Sequence, residues 1–311
     1  MKEVLVTGGA GFVGSHVVDA LLARGDRVRV LDDLSTGRRA NLPSDAHRLS
    51  IVEGSILDAA LVAEACAGAD AIVHFAALPS VSRSVVDPVA SHEVNATGTL
   101  RILDAARARR TRVIYAGSSS AYGDQDAAAK HEEMRERPLS PYAASKLAGE
   151  LYCRAFARVY GLPVVVTRFF NVYGPRQVPD SPYSGVIAAF CHALCVGRAP
   201  RIEGDGGQAR DFTYVSDVVR GVLLAVDGGT EGCHTVNLAA GGSHTILELL
   251  ATLQEIAGTR LAPEFVPARR GDVRHSQADV RQAKALLGFS ASVSFAEGLR
   301  RTYEWYRSKQ A

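Results

Sequence analysis

The chain has 311 residues, 47% of them hydrophobic and 22% charged, with a formal net charge of +2. That is the composition of a globular protein with a large core, too apolar for a disordered chain and too evenly charged for a nucleic-acid or membrane surface. No apolar run approaches the roughly 20 residues of a membrane helix, and Met1-Lys2-Glu3 leads straight into a core strand, so a cytoplasmic protein without a signal peptide is expected. The length admits two domains or one large one. The cysteines at 66, 153, 191, 195 and 233 are odd in number and lack metal-ligand spacing. Cys191 and Cys195, one helical turn apart in an apolar stretch, read as buried helix residues; no metal site is predicted, and the thiols should be reduced.

In chain order, Val4 to Val6 reads as a buried strand, followed by glycines at 8, 11 and 14 and a helical pattern over 12–24. Strand, tight turn and helix form the setting in which a glycine fingerprint indicates a dinucleotide. Gly8 permits the turn, Gly11 lets backbone N–H groups approach a pyrophosphate at the positive helix end, and Gly14 lets the helix sit close to the strand. The next strand, 28–32, ends in Asp32, 18 residues beyond Gly14 (32 − 14). That is near the ~20 expected for a carboxylate that binds the adenosine ribose. Arg38 and Arg39 could meet a 2′-phosphate, but Asp32 would repel it, so NAD is favoured.

Further strands are predicted at 49–53, 71–75, 112–116 and 163–167, with helices around 58–67 and 89–110 and a long helix from Tyr142. This alternation predicts an α/β fold, a Rossmann doubly wound parallel sheet whose ligands lie beyond the carboxyl ends of the strands. His74 reads as a core histidine. After residue 171 the rhythm breaks: prolines mark a loop, a helix follows near 185–197, and 204–207 is a glycine-rich turn. The helix near 216–226 and the strand 234–237 could rejoin the first sheet. Helices at 245–257 and 295–308 complete a smaller lobe. The expected division is a cofactor domain over 1–171, rejoined by about 212–238, and a substrate lobe over 172–311.

The stretch Ser140-Pro141-Tyr142-Ala143-Ala144-Ser145-Lys146 carries the chemistry. Ser140 is a good N-cap, Pro141 a good first helical residue, and Gly161 closes the helix. Tyr142 and Lys146, four apart, share one face. A free phenol, with a pKa of about 10, is a poor base at neutral pH. A nearby ammonium, the helix N-terminus and an oxidised nicotinamide would each favour the phenolate. Ser118-Ser119-Ser120 leaves the strand 112–116, and one of these hydroxyls can bond a substrate oxygen and pass its proton toward Tyr142.

With these motifs in place the chain resembles an extended short-chain dehydrogenase/reductase, and within it a UDP-sugar 4-epimerase. The matching segments run nearly end to end: TGGAGFVG, LDDLSTG, HFAA, SSSAYG, YxxxK, RFFNVYGPRQ, QARDFTYV and RRGDVRHS. The resemblance implies Tyr142 as base, Lys146 on the nicotinamide ribose, and Ser118 or Ser119 as hydroxyl partner. For NAD it implies Gly8, Gly11, Phe12, Val13 and Gly14 at the first turn, and Asp32, Asp33, Ser35, Thr36 and Gly37 after the second strand. Ser55, Ile56, Phe75, Ala76, Ala77, Asn95 and Phe169 complete that set with Tyr142 and Lys146. For the sugar nucleotide it implies Ser80, Ser118, Ser119, Ser120, Tyr142, Asn171, Val186, Arg210, Arg269, Asp272 and Ser276, with Arg210, Arg269 and Asn171 on the diphosphate and Asp272 on a ribose. Arginine suits a diphosphate because its planar fork binds oxygens in pairs.

The serine run also separates reactions. Related 4,6-dehydratases carry an Asp-Glu pair where this chain has Ser119-Ser120, and related glucuronate decarboxylases a glutamate. Ser276 is small where a tyrosine would confine similar enzymes to glucose and galactose. UDP-N-acetylglucosamine and UDP-N-acetylgalactosamine should therefore fit, together with the plain sugars, interconverting through a transient 4-keto sugar. The chain departs from the pattern at Ser55, Pro79 and Glu203, where the family often has an aspartate, a lysine and an aromatic. The resemblance further implies a homodimer. Alternatives are a UDP-glucuronate epimerase or decarboxylase, a nucleotide-sugar 4,6-dehydratase, or, in a different class, a non-catalytic NAD-sensing protein.

Overall fold

Alternation of apolar side chains places the central strands between two helical layers. In β1 (Glu3–Thr7), Val4 and Val6 join one apolar cluster and Leu5 the other. Ile114 and Val165 repeat the first pattern, and Val113, Tyr115, Val164 and Val166 the second. Each such fully buried valine or leucine contributes about 1.5–3 kcal/mol. The computed structural model describes residues 1–44, 46–179, 185–268 and 273–310.

The chain runs through β1, α1 (Phe12–Ala23), β2 (Arg27–Asp32), β3 (Leu49–Glu53), α2 (Ala59–Cys66) and β4 (Ala71–His74). It continues through α3 (Val81–Val86), α4 (Pro88–His92), α5 (Thr99–Arg107), β5 (Arg112–Ser118), α6 (Pro141–Tyr160) and β6 (Val164–Phe169). With the strand Cys233–Leu238 these form one seven-stranded sheet. Its order is Cys233–Leu238, β6, β5, β4, β1, β2, β3, and every pairing is parallel. The order reverses between β1 and β4, so a crevice opens there at the carboxyl edge. The protein has the Rossmann-like α/β fold.

The helix predicted over 89–110 is interrupted. Asp87 caps α4 by accepting from the N–H of Ala90, a π-helical turn spans Glu93–Gly98, and α5 ends at Arg107. The wide turn swings the Asn95 side chain toward Leu78, and its carbonyl is held by the Thr99 hydroxyl at 2.7 Å. A further helix, α3, precedes it, in a segment to which the sequence assigned no element.

The remainder adds smaller sheets and the last helices. Ala209–Arg210 lies between His244–Thr245, antiparallel, and His275–Ser276, parallel. The helices α7 (Val186–Cys195), α8 (Val215–Asp227), α9 (Ile246–Ala257) and α11 (Phe295–Gln310) contribute Phe190, Val218, Leu249 and Leu299 to the core cluster that also holds Val17 and Leu21 of α1. The short helix α10 (Arg281–Leu287) adds Ala283. Among the described residues no helix is long and apolar enough to cross a membrane.

Candidate active site

The turn after β1 leaves room that no side chain could share. Gly8 has φ +69°, and a Cβ on it would lie 2.6 Å from the Ala76 nitrogen. A Cβ on Gly14 would lie 2.2 Å from the Gly8 carbonyl oxygen, so only glycine lets α1 start this close to the strand. The N-cap of α1 is Gly11, with no side chain over the helix N-terminus, so its amides face open space. At the end of β2, Asp32 accepts from the N–H groups of Ala10 and Leu34 at 2.8 and 2.9 Å. Burial raises its carboxyl above the usual range, and the two amides draw it back.

A cavity of about 690 Å³ runs from this turn across the switch point to β5 and α6. Gly8, Gly11, Phe12, Val13 and Gly14 line its first end, with Asp32, Asp33, Ser35, Thr36 and Gly37 beside them. Ile56, Phe75, Ala76, Ala77 and Ser80 line its middle, and Tyr142, Lys146 and Phe169 its far end. Two predicted cofactor residues are not in that wall. Ser55 Oγ accepts from the Leu57 N–H at 3.1 Å and shapes a turn. Asn95, fully buried, spends its amide on Leu78 and Ser145.

The wall also contains residues to which the sequence assigned no role: Arg83, Val178, and Arg176 and Gln177 at the end of the RFFNVYGPRQ segment. Arg176 reaches Asp19 of α1 at 2.7 Å from a backbone with φ +69°. Its Nη1 and the Oε1 of Gln177 are buried polar atoms without a hydrogen-bond partner among the described residues. A cradle that only glycine permits, open helix amides, a carboxylate 18 residues on (32 − 14) and unsatisfied polar atoms in one wall are what a dinucleotide requires.

At the far end, Lys146 is 4% exposed with its ammonium 4.5 Å from the centroid of the Tyr115 ring. Burial pushes that ammonium down to about 8. Of the three serines, Ser118 is the one whose side chain acts on the Tyr142 phenol. In the chain alone burial raises that phenol and Ser118 lowers it, with burial the larger effect. The sequence reading expects the neighbouring charges to outweigh this; in the protein alone they do not. Ser118 Oγ also meets Ser120 Oγ at 2.8 Å, while Ser119 opens a short 3-10 turn over Ser119–Tyr122. His74, fully buried below, bridges Thr7 at 2.7 Å and Thr99 at 3.0 Å; burial drives it down to about 3.

Of the predicted sugar-nucleotide residues among those described, Ser80 and Tyr142 line that cavity and the others do not. Asn171, with φ +33°, donates to the Asp211 carbonyl at 3.1 Å. Arg210 Nη1 donates to the Ala209 carbonyl at 2.9 Å. The Ser276 carbonyl, on the adjacent strand, accepts from the Asp211 N–H at 2.7 Å, and Val186 opens α7. Asp211 fastens this region: its carboxylate accepts from Ala240, Gly241 and Ala278, and burial pushes it up to about 7. Arg269 and Asp272 lie outside the described residues.

The sequence profile of the NAD dependent epimerase/dehydratase family matches residues 4–239. A UDP-glucose 4-epimerase of Mycolicibacterium smegmatis is 41% identical over 314 residues, covering 99% of each chain. The solved structure of a UDP-N-acetylglucosamine 4-epimerase from Methanobrevibacter ruminantium, in complex with UDP-N-acetylmuramic acid, superposes with a TM-score of 0.95. It is 36% identical and covers 99% of both chains. DesIV, a dTDP-glucose 4,6-dehydratase from Streptomyces venezuelae with NAD bound, has a TM-score of 0.93 and 39% identity, covering 99% of this chain and 98% of its own.

Proposed function

The chain belongs to the NAD-dependent epimerase/dehydratase family, and from that membership we propose that it is a UDP-sugar 4-epimerase acting on UDP-N-acetylglucosamine and UDP-N-acetylgalactosamine. Its cofactor is NAD, for which the glycine turn, Asp32, Arg176 and Lys146 are the candidate ligands. Bound there, NAD supplies the acceptor and then the donor of a hydride at the sugar C4. Tyr142 takes the proton of the C4 hydroxyl, and Ser118, the serine that lowers the phenol, aligns that hydroxyl. Lys146 keeps positive charge against the phenol's helix face and the ribose. Phe75 and Phe169, with ring centroids 6.0 Å apart, make the wall apolar between its middle and far end.

The observation that carries this reading is a single cavity with the dinucleotide cradle at one end and Tyr142 with Lys146 at the other. A second observation favours epimerisation over dehydration. Among the described residues the cavity's carboxylates are Asp32 and Asp33, both at the adenosine end. Elimination of water calls for an additional acid and base near Tyr142, and Ser119-Ser120 supplies neither. Small Ser276 supports room for an N-acetyl group. Exposed Val85, Val86 and Val89 on α3 and α4, with Leu151 and Val159 on α6, support a homodimer through that apolar face. In this reading residues 1–171, with about 212–238, hold the cofactor, and the rest of 172–311 holds the sugar nucleotide.

The test is a panel of UDP-GlcNAc, UDP-Glc and UDP-GlcA incubated with NAD-loaded protein and read by product NMR. A 4-epimer of unchanged mass from UDP-GlcNAc is expected, and it disappears in Tyr142→Phe while NAD stays bound. A dehydrated or decarboxylated product would replace this reading with a rival one. Protein inert toward all three sugars would point to an NAD-sensing role.

A further inference from the structure

Tyr142 is the second residue of α6, where a backbone N–H has no partner within the helix. Its neighbours are provided for: Pro141 has no N–H, Ala143 donates to Ser140 Oγ at 3.1 Å, and Ala144 to the Ser140 carbonyl at 2.9 Å. The partner of Tyr142 comes from another element. Ser84 Oγ, fully buried in α3, accepts from the Tyr142 N–H at 2.9 Å and donates to the Val81 carbonyl at 2.6 Å. A second serine takes the other side of the same residue, since Ser145 Oγ donates to the Tyr142 carbonyl at 2.9 Å. Ser145 Oγ in turn accepts from the Asn95 amide at 3.0 Å, and Asn95 accepts from the Leu78 N–H at 2.8 Å. Leu78, Ser80 and Arg83 line the cavity, and Ser80 caps α3 by accepting from the Arg83 N–H at 3.0 Å.

We propose that Ser84 is a positioning residue for Tyr142: it joins the cavity wall at 78–84 to the backbone of the residue that moves the proton, and with Ser145 it fixes where the phenol can reach. The inference rests on the assignment of Tyr142 as base. It explains why a buried serine of a short helix donates to its own helix and accepts from one 58 residues away. The groups that act on the phenol are Ser118 and Tyr115 from β5, with Lys146 and Arg83 in the same cavity wall and His74 behind Lys146.

The experiment compares Ser84→Ala and Ser84→Thr as NAD-loaded full chains. One reading is the phenolate absorbance that Tyr142→Phe removes, titrated against pH without any sugar. The other is kcat and KM on the sugar turned over. Ser84→Ala is expected to raise the phenol midpoint by about one unit and to lower kcat roughly tenfold at a KM within about twofold, because a buried donor loses its partner. Ser84→Thr, which keeps the hydroxyl, restores both. An unmoved midpoint with unchanged kcat overturns the proposal, as does a fall in kcat that only mirrors lost NAD. Should Ser84→Ala not fold, Ser145→Ala removes the grip from the other side and must move the same midpoint; an unmoved one overturns the proposal. If no UDP-sugar is turned over, the titration alone decides it, and the failure belongs to the assigned reaction.

Discussion

Gly149 lies in the middle of α6, where alanine would ordinarily be preferred by about 1 kcal/mol. The tertiary structure reverses that sign. A Cβ at 149 would stand 2.4 Å from Tyr115 Oη, 2.9 Å from its Cζ and 3.2 Å from the Asn95 carbonyl oxygen. Tyr115 cannot retreat, being fully buried with its hydroxyl donating to the Lys146 carbonyl at 2.8 Å. Overpacking of this kind costs about 1–3 kcal/mol, and the strained hydrogen bond about 1 more. Set against the helical gain, Gly149→Ala should destabilise by roughly 2 kcal/mol. For 311 residues the unfolding entropy is about 0.65 kcal/mol/K, so the midpoint should fall by roughly 3 °C. Thermal and urea unfolding measure this. A cycle with Tyr115→Phe isolates the cause, because removing the hydroxyl should recover part of the loss. A higher melting point in Gly149→Ala, or strict additivity in the cycle, would refute the argument.

The serine run can be resolved by paired substitutions. Ser118→Ala should lower kcat about 10²-fold and Ser119→Ala by less than about fivefold, since Ser118 is the one that acts on the Tyr142 phenol; the reverse order in steady-state assays would reassign the hydroxyl. His74 sets an acid limit. Its folded pKa, about 3, lies below the usual 6.5, so between these values the unfolded chain binds the extra proton and acid favours unfolding. Its contribution should therefore be lost as the pH falls below about 6.5, reaching roughly 2 kcal/mol at pH 5. Urea midpoints across pH 4–7 would show a flatter slope in His74→Gln; equal slopes would assign the acid sensitivity to other groups.

The amino-acid sequence by itself determined the sheet and the cofactor end. Apolar runs of strand length, each followed by helical periodicity, leave few alternatives to a parallel sheet. The residues of the first turn act through neighbours only a few positions away, so Gly8, Gly11, Gly14 and Asp32 are readable as a local pattern. The pair Tyr142 and Lys146 was legible for the same reason, since four residues on a helix fix a shared face. The tertiary structure alone distinguishes Ser118, which lowers the Tyr142 phenol, from Ser119, which opens the turn beyond the strand. It alone brought Arg176 and Gln177 to the cavity and took Ser55 and Asn95 out of its wall, spending their polar groups on the Leu57 and Leu78 backbone and on Ser145. It also placed Ser84 behind Tyr142 and Tyr115 beneath Gly149. Contacts across 34 to 58 residues carry no periodic signature, and a desolvated ammonium at Lys146 depends on everything packed around it.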